Sequence, residues 1–565
     1  MNKKSFFIPL LAAGTLLLLC VFGSCDEFFT PNSGEGTISL TLPGQANTGR
    51  ATNGGSINNI TFTVELLGPD TKTFEAKPGE QILVKVSPGY WYVNITATYA
   101  DGSPVGTGQG EGDVKKGKVT VIVITLGGSD FINTINASEF NAVAVDSAGS
   151  VYAAGYVNGS GFDDAPSFTG RNVLLVKYNS DGHVVWAKTI DDSGTGASEF
   201  NAVAVDSANN VYAAGYVTGT SGVNFGTGQK TAGTNSGKNI LLIKYNDSGT
   251  VQWVQTVAEG TGVSEFNAVA VDSTGNIYAA GYQKGKNSFT YGSKEAQGKD
   301  NAENSLLVKY DTTTGTAQSV MVSTETAVGY SMFNAVAVDS TGNVYAAGYQ
   351  KAGINAREIL LVKFGTNGNT WKSATTANVI FSTSFQAVTV DSSGNIYAAG
   401  YEQGGFNHNF GNNQYPLNLL SLPILVDHSI LVKYNPDGTT QWAKTVAPAS
   451  TSVTGFNGVT ADGNDIYAVG YKKGTESITY GNLAPVSGVN SNKNILMVKY
   501  DTGGIAQSAR TVVSGNNSTT FRGVAVSGSV VYATGYQEGT GAFDYGTGQS
   551  IQRSKSGYNA LLLKY

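Results

Sequence analysis

Nucleophiles, proton carriers and metal ligands at workable spacing are scarce in this 565-residue chain. Its three histidines, His183, His408 and His428, include no pair at the spacing that seats a metal. No Gly-x-Ser-x-Gly elbow occurs, and both cysteines, Cys20 and Cys25, lie in the first 25 residues. Asp-x-x-Gly turns recur and resemble calcium loops in outline, but each supplies one carboxylate where calcium needs several oxygens at alternating positions. A structural turn is therefore favoured over a metal site, and no cofactor is expected. Candidate ligand contacts are left among residues that break the pattern around them. His408 and His428 flank an apolar run, Leu417 to Val426, that contains Leu419 and Leu420. That run either marks a partner site or tucks against its neighbours. Tyr291, Tyr480 and Tyr545 close Phe/Ile-x-Tyr-Gly motifs in long connections, where they either face a ligand or cap the structure beneath, the second being favoured because the motif repeats.

These residues hang on a repeat. Copies of a stretch like Phe266 to Tyr282, FNAVAVDSTGNIYAAGY, begin at Phe140, Phe200, Phe266, Phe333, Phe385, Phe456 and Phe521. Each reads as two strands joined by a turn carrying Asp, Ser and Gly. A third strand follows, written LLVKY or close to it and ending at Tyr178, Tyr245, Tyr310, Phe364, Tyr434, Tyr500 and Tyr565. A fourth carries Trp186, Trp253, Trp371 or Trp442, while the third and sixth copies lack the Trp. The seventh copy stops after its third strand, and a matching strand, Phe131 to Ile135, stands alone before the first copy. Pairing 131–135 beside 560–565 would latch the repeats into a ring and leave only short edges exposed.

The repeated order of VAVDSxGNxYAAGY, LLVKY, a Gly turn and Trp resembles the SBBP repeat of bacterial secreted proteins over about three quarters of the chain. The resemblance implies a seven-bladed β-propeller of four-stranded blades at 128–565. It implies no single activity. Ser527 stands in the seventh copy where most others have Asp.

Within each copy, small alanines suit an innermost strand, and Gly155 with its equivalents marks a bulge or a close backbone approach. The Asp closing the first strand and the Lys ending the third lie at one end, where they either pair or serve separately, the Asp capping its own hairpin. First-to-second and third-to-fourth connections are short and nearly constant. The other two sets vary, and up-down strand order puts them together at the opposite end, where binding groups usually sit.

Ahead of the repeats, Lys3 and Lys4 precede an apolar run, Phe6 to Phe22, ending in Gly23, Ser24 and Cys25. This is a signal-peptide pattern over 1–25, favoured over an uncleaved membrane span. Phe22 to Cys25 resembles a relaxed bacterial lipobox, which implies cleavage before Cys25, lipid on its sulfur and an extracytoplasmic, membrane-anchored protein on the cell envelope. Residues 26–36 have linker composition, and 37–127 hold alternating runs that predict a small β-sandwich. Val86 to Val93 and Val114 to Val119 resemble parts of immunoglobulin-like or prealbumin-like modules. There Tyr90, Trp91 and Tyr92 form either a sugar-stacking platform or, as favoured, part of the core.

A net charge of −6 leaves no cationic footprint for nucleic acid. The expectation is an all-β, monomeric, lipid-anchored envelope protein whose propeller binds a protein or glycan through its variable end. A propeller lyase or hydrolase is the alternative and a plain spacer the third choice; catalysis is disfavoured.

Overall fold

The computed structural model describes residues 16–18, 36–41, most of 60–128, and 132–565 apart from isolated residues and the connections 160–169, 191–195, 323–328, 353–355, 366–369, 375–381, 404–409, 411–425, 447–451, 546–549 and 552–556. The chain forms two compact units, Met1–Asp130 and Phe131–Tyr565.

In the first unit two sheets share one core. The larger runs Leu16–Leu18, Ile124–Gly128, Pro104–Val114, Gly89–Tyr99, Ile60–Leu67, Thr71–Ala76 in spatial order; the smaller runs Gln81–Val86, Gly36–Thr41, Val119–Val121. Alternating residues from both sheets, among them Ile38, Leu40, Phe62, Val64, Val86 and Val93, meet in the core. Trp91 sits fully buried among them with its indole N–H donated to the Ser87 carbonyl at 2.9 Å. It is core and offers no sugar platform. Among the described residues no helix is long and apolar enough to cross a membrane. Cys25 lies outside the described residues.

The second unit is a β-propeller. Among the described residues it contains seven four-stranded antiparallel sheets. Six take their strands in chain order, as in Ser138–Val145, Val151–Asn158, Arg171–Tyr178 and Val184–Lys188 of the first, and three of these six carry a two-stranded hairpin between their second and third strands. The seventh takes its outer strand, Ile132–Ile135, from the other end of the sequence, pairing Ile132 with Leu563 and Ile135 with Ala560 beside Tyr558–Lys564. First strands of successive sheets touch one another, and the first strand of sheet seven, Thr519–Ser527, touches that of sheet one. The hydrophobic core follows the same circuit, since each cluster is shared by two neighbouring sheets. Phe140, Val176 and Tyr178 of sheet one lie with Ala525, Ala560 and Leu562 of sheet seven. Leu561 and Leu563, on the alternate face, lie with Val469 and Ile495 of sheet six.

Every first strand carries a bulge immediately after its Phe, at Asn141, Asn201, Asn267, Asn334, Gln386, Asn457 and Arg522. The extra residue turns its side chain out of the ladder. Asn141, Asn201, Asn267, Asn334 and Asn457 each donate to the Phe carbonyl of the next sheet at 2.7–2.9 Å, a belt of inter-sheet hydrogen bonds. Opposite each bulge stands a glycine, and a Cβ on Gly155 or Gly281 would lie 1.9 Å from the Glu139 or Glu265 carbonyl oxygen. The close approach is why that position reads Gly in all seven copies.

At the end bearing the constant turns, the Asp residues cap their own hairpins. Asp146 Oδ1 accepts from the amides of Ala148 and Ser150, and Asp206, Asp272, Asp339 and Asp391 repeat the pattern. Five of the third-strand lysines reach elsewhere, to the next sheet's third-to-fourth turn: Lys177 pairs with Asp247, and Lys244, Lys363, Lys433 and Lys564 donate to turn carbonyls at 2.8–3.1 Å, while Lys499 pairs with Asp465 of its own sheet at 2.8 Å. Trp186, Trp253, Trp371 and Trp442 donate to the carbonyls of Asp247, Thr312, Pro436 and Thr502. Their rings lie under the turn glycines; a Cβ on Gly249, at φ +77°, would meet Trp186 at 3.0 Å. Ser508 of sheet six occupies the Trp position opposite Lys499. Sheet seven has no third-to-fourth turn for a Trp there to clasp, because its fourth strand comes from Ile132–Ile135.

Sheets six and seven also have shorter first hairpins. Asp462 pairs with Asp465 and Ser527 with Val530, so the loops shrink to two residues led by Gly463 and Gly528, both at positive φ. Ser527 thus stands in a ladder rather than in an Asp-capped turn.

Candidate functional site

The end opposite the constant turns carries the long connections and a series of charged and aromatic side chains set by strand register. Glu139 lies directly across from Tyr156, whose hydroxyl donates to its carboxylate at 3.1 Å. Glu199 receives Tyr216 in the same way at 2.8 Å, and Glu265 receives Tyr282 at 3.0 Å. The third strand begins with a cation that lies over the same tyrosine, Arg171 at 3.9 Å from the Tyr156 centroid and Lys238 at 3.8 Å from Tyr216. Each cation reaches across to the next sheet's carboxylate, Arg171 to Glu199 at 2.8 Å and Lys238 to Glu265 at 2.9 Å.

The series is not seven-fold. Met332, Ser384, Gly455 and Thr520 occupy the carboxylate position in sheets four to seven. In sheet seven the cation position is taken by Tyr558, edge-on to Tyr536 at 4.7 Å, and the charge comes instead from Arg522 at the bulge, bonded to Glu139 at 2.7 Å. Where sheets seven, one and two meet, these departures leave a cavity of about 250 Å³, lined by Glu139, Asn141, Tyr156, Arg171, Glu199, Arg522, Tyr536 and Tyr558.

The carboxylates sit beneath the cations. Glu139 and Glu199 side chains are 7% and 11% exposed, against 40% for Arg522 and 42% for Arg171. Glu199 also accepts from Asn141 at 2.9 Å, so its lone pairs are engaged from three sides. Burial would lower the Arg171 and Arg522 pKa values, but Glu199 and Glu139 more than offset it, and both guanidiniums stay charged. Burial, reinforced by Glu139, pushes the Tyr156 hydroxyl far above its ordinary range, so it remains a proton donor.

The residues singled out from sequence lie elsewhere. Tyr291, Tyr480 and Tyr545 are buried, which corrects any ligand-facing role for them. Each belongs to a connection that forms a short hairpin and packs into the core shared by two neighbouring sheets: Ser288–Tyr291 pairs with Lys294–Gln297, Ser477–Ile478 with Val486–Ser487, and Phe543–Asp544 with Ser550–Ile551. The Tyr291 and Tyr545 hydroxyls end on Gln283 and Gln537, and that of Tyr480 shares a hydrogen bond with Ser429. His428 is fully buried and takes the place held in other copies by Asn239, Asn304 and Asn494, whose amides tie down the second-to-third connection. Burial lowers its pKa against an opposing pull from Asp427. It points into the fold and away from any open site. His408, Leu419 and Leu420 lie outside the described residues. Among the described residues no group of His, Cys, Asp and Glu could hold a metal ion.

The cavity residues carried a sequence signal of another kind. Arg522 occupies a column that otherwise reads Asn or Gln, and Glu occupies the residue before the Phe in only three copies. Departures from the repeat, aligned column by column, point to this seam.

No family model matches the chain. It is similar to an uncharacterized WD repeat-containing protein of Acanthamoeba polyphaga mimivirus, 25% identical over 391 residues, which cover 63% of this chain and 26% of that protein. The chain thus spans about a quarter of the length of this curated relative. Among solved structures it is similar to the β-propeller domain of the Trilobed protease from Pyrococcus furiosus, at 7% identity and a TM-score of 0.38, covering 75% of this chain and 98% of that one. A polysaccharide lyase, an ulvan lyase bound to GlcA(1-4)Rha3S, is similar at 10% identity and a TM-score of 0.38, covering 71% and 93%. With its own sheets and repeats, the chain is a β-propeller repeat protein.

Proposed function

We propose that this chain is a lipid-anchored cell-envelope protein that binds a protein or glycan at the variable end of its propeller. In this account residues 1–25 are a signal segment cleaved before Cys25, 37–127 are a β-sandwich, and 128–565 are a seven-bladed propeller of the SBBP type. The observation that carries the binding role is the polar cavity where sheets seven, one and two meet, at the end whose connections differ from copy to copy. Rigid strands position its side chains, as the framework of a binding scaffold does.

A lyase or hydrolase acting outside the cytoplasm is the second reading, since the cavity brings two carboxylates near tyrosines and guanidiniums. Binding is preferred because the carboxylates are already engaged by Arg, Asn and Tyr donors and the Tyr156 hydroxyl holds its proton.

Pull-down of envelope and extracellular glycan and protein fractions, with chains whose connections at this end are exchanged, tests the binding role. Capture that is lost on exchange supports it; capture unchanged by every exchange contradicts it. Labelling with a radioactive fatty acid tests the anchor, and label on the native chain should vanish in Cys25→Ala.

A further inference from the structure

We infer that the cavity where sheets seven, one and two meet takes an acidic sugar residue of a polysaccharide, held through its carboxylate by Arg171 and Arg522. The inference deepens the binding role proposed above and rests on it. A guanidinium has five N–H donors. Arg171 gives Nη1 to Glu199 and Arg522 gives Nε to Glu139, leaving the rest of both forks available to the cavity. The two Glu side chains are almost wholly covered while both Arg side chains are two-fifths exposed. A ligand therefore meets donors, and the carboxylates behind fix the direction in which the forks point. Planar, pre-oriented guanidiniums suit a carboxylate, which accepts two parallel hydrogen bonds.

The rest of the wall suits a sugar ring better than an acidic peptide. Tyr558 is 43% exposed and stands edge-on to Tyr536, giving an aromatic surface for the ring's C–H face. Asn141 also lines the cavity. At about 250 Å³ the cavity is smaller than the roughly 300–1,000 Å³ of drug-sized sites, which suits one sugar unit.

Calorimetric titration of the purified full chain with oligogalacturonate, and with maltooligosaccharide as the neutral control, tests this. The expected result is binding of oligogalacturonate that weakens as salt rises, with maltooligosaccharide at least tenfold weaker. Arg171→Gln and Arg522→Gln should each cost tenfold or more in affinity, and Arg522→Lys, which keeps charge without the fork, should lie between. Because both arginines also bridge sheets, Tyr558→Glu serves as an independent variant. It bridges no sheets, should lower the melting temperature only by the loss of its edge-on contact with Tyr536, and should repel the ligand by tenfold or more. Equal binding of both saccharides, or oligogalacturonate affinity untouched by these variants, overturns the inference. If oligogalacturonate fails to bind while the chain still captures an envelope partner, the acidic-sugar inference falls and the binding role stands. If nothing is captured either, both fall.

Discussion

The two ends of the propeller's sheets solve the same joining problem with different chemistry. At the constant end, Trp and Lys of one sheet converge on a turn of the next, and the same residues do it in sheet after sheet. Four sheets keep the same Trp for this one structural role. At the variable end the Asn belt repeats, but the Glu–Tyr pairs above it are kept in three sheets alone, and Arg522 meets Glu139 where sheet seven adjoins sheet one. The departure at Arg522 joins sheet seven to sheet one, where the ring closes, and leaves exposed guanidinium donors beside the bridge.

That contrast yields tests of decreasing size. Gly281→Ala would set a methyl group 1.9 Å from a backbone oxygen, and the strand has no slack to receive it. It should lower unfolding free energy by more than about 3 kcal/mol in a denaturant titration. Trp186→Ala removes both a packed ring and the N–H that holds the Asp247 carbonyl, and should cost about 2 kcal/mol. The reverse change at sheet six, Ser508→Trp, should stabilise nothing, since no turn faces it; a clear gain there would break the clasp account.

Asp206→Ala frees two turn amides and should cost about 1 kcal/mol, by analogy with helix caps. Burial raises the Asp206 pKa, but hydrogen bonds from Asn210, Tyr212 and the turn amides outweigh it and hold it below the usual range; Asp272 and Asp339 are alike. A folded pKa below the unfolded one adds stability that is present above the unfolded value and lost as pH falls through the folded one. Acid unfolding should therefore set in below about pH 4 and flatten in Asp206→Asn. The smallest effect is at His428, whose folded pKa is lowered by burial. There the unfolded chain takes up the proton first, so stability should begin to fall as pH drops through about 6.5, and His428→Asn, which restores the residue found in other copies, should remove that slope.

What could be read from sequence follows the same division. The Asp turns, the recurring Gly and the spare strand at Phe131 to Ile135 stand out because repetition displays them. The arginine at 522 hides within a repeat, and its partner Glu139 lies 383 residues away, so nothing local joins them. Histidines drew notice because they are rare here, yet His428 is rare as a replacement for a structural Asn and is buried. Tyr291 looks the same in sequence whether it caps or binds. The hairpin that buries it depends on Phe289 packing over Gly260, a tertiary contact. In the first unit Pro104–Val114 does not read as a strand because its many glycines resemble a loop; pairing with Gly89–Tyr99 on one side and Ile124–Gly128 on the other makes it one.

The seam cavity exists only if Ile132–Ile135 closes the last sheet and brings Arg522 to Glu139. Ile135→Cys with Ala560→Cys, in a chain whose Cys20 and Cys25 are changed to serine, places thiols at directly paired positions. Oxidation should give a monomer with an internal disulfide, faster migration on a non-reducing gel and a higher melting temperature. Free thiols, or bonds only between chains, would contradict the closed ring and the site built on it.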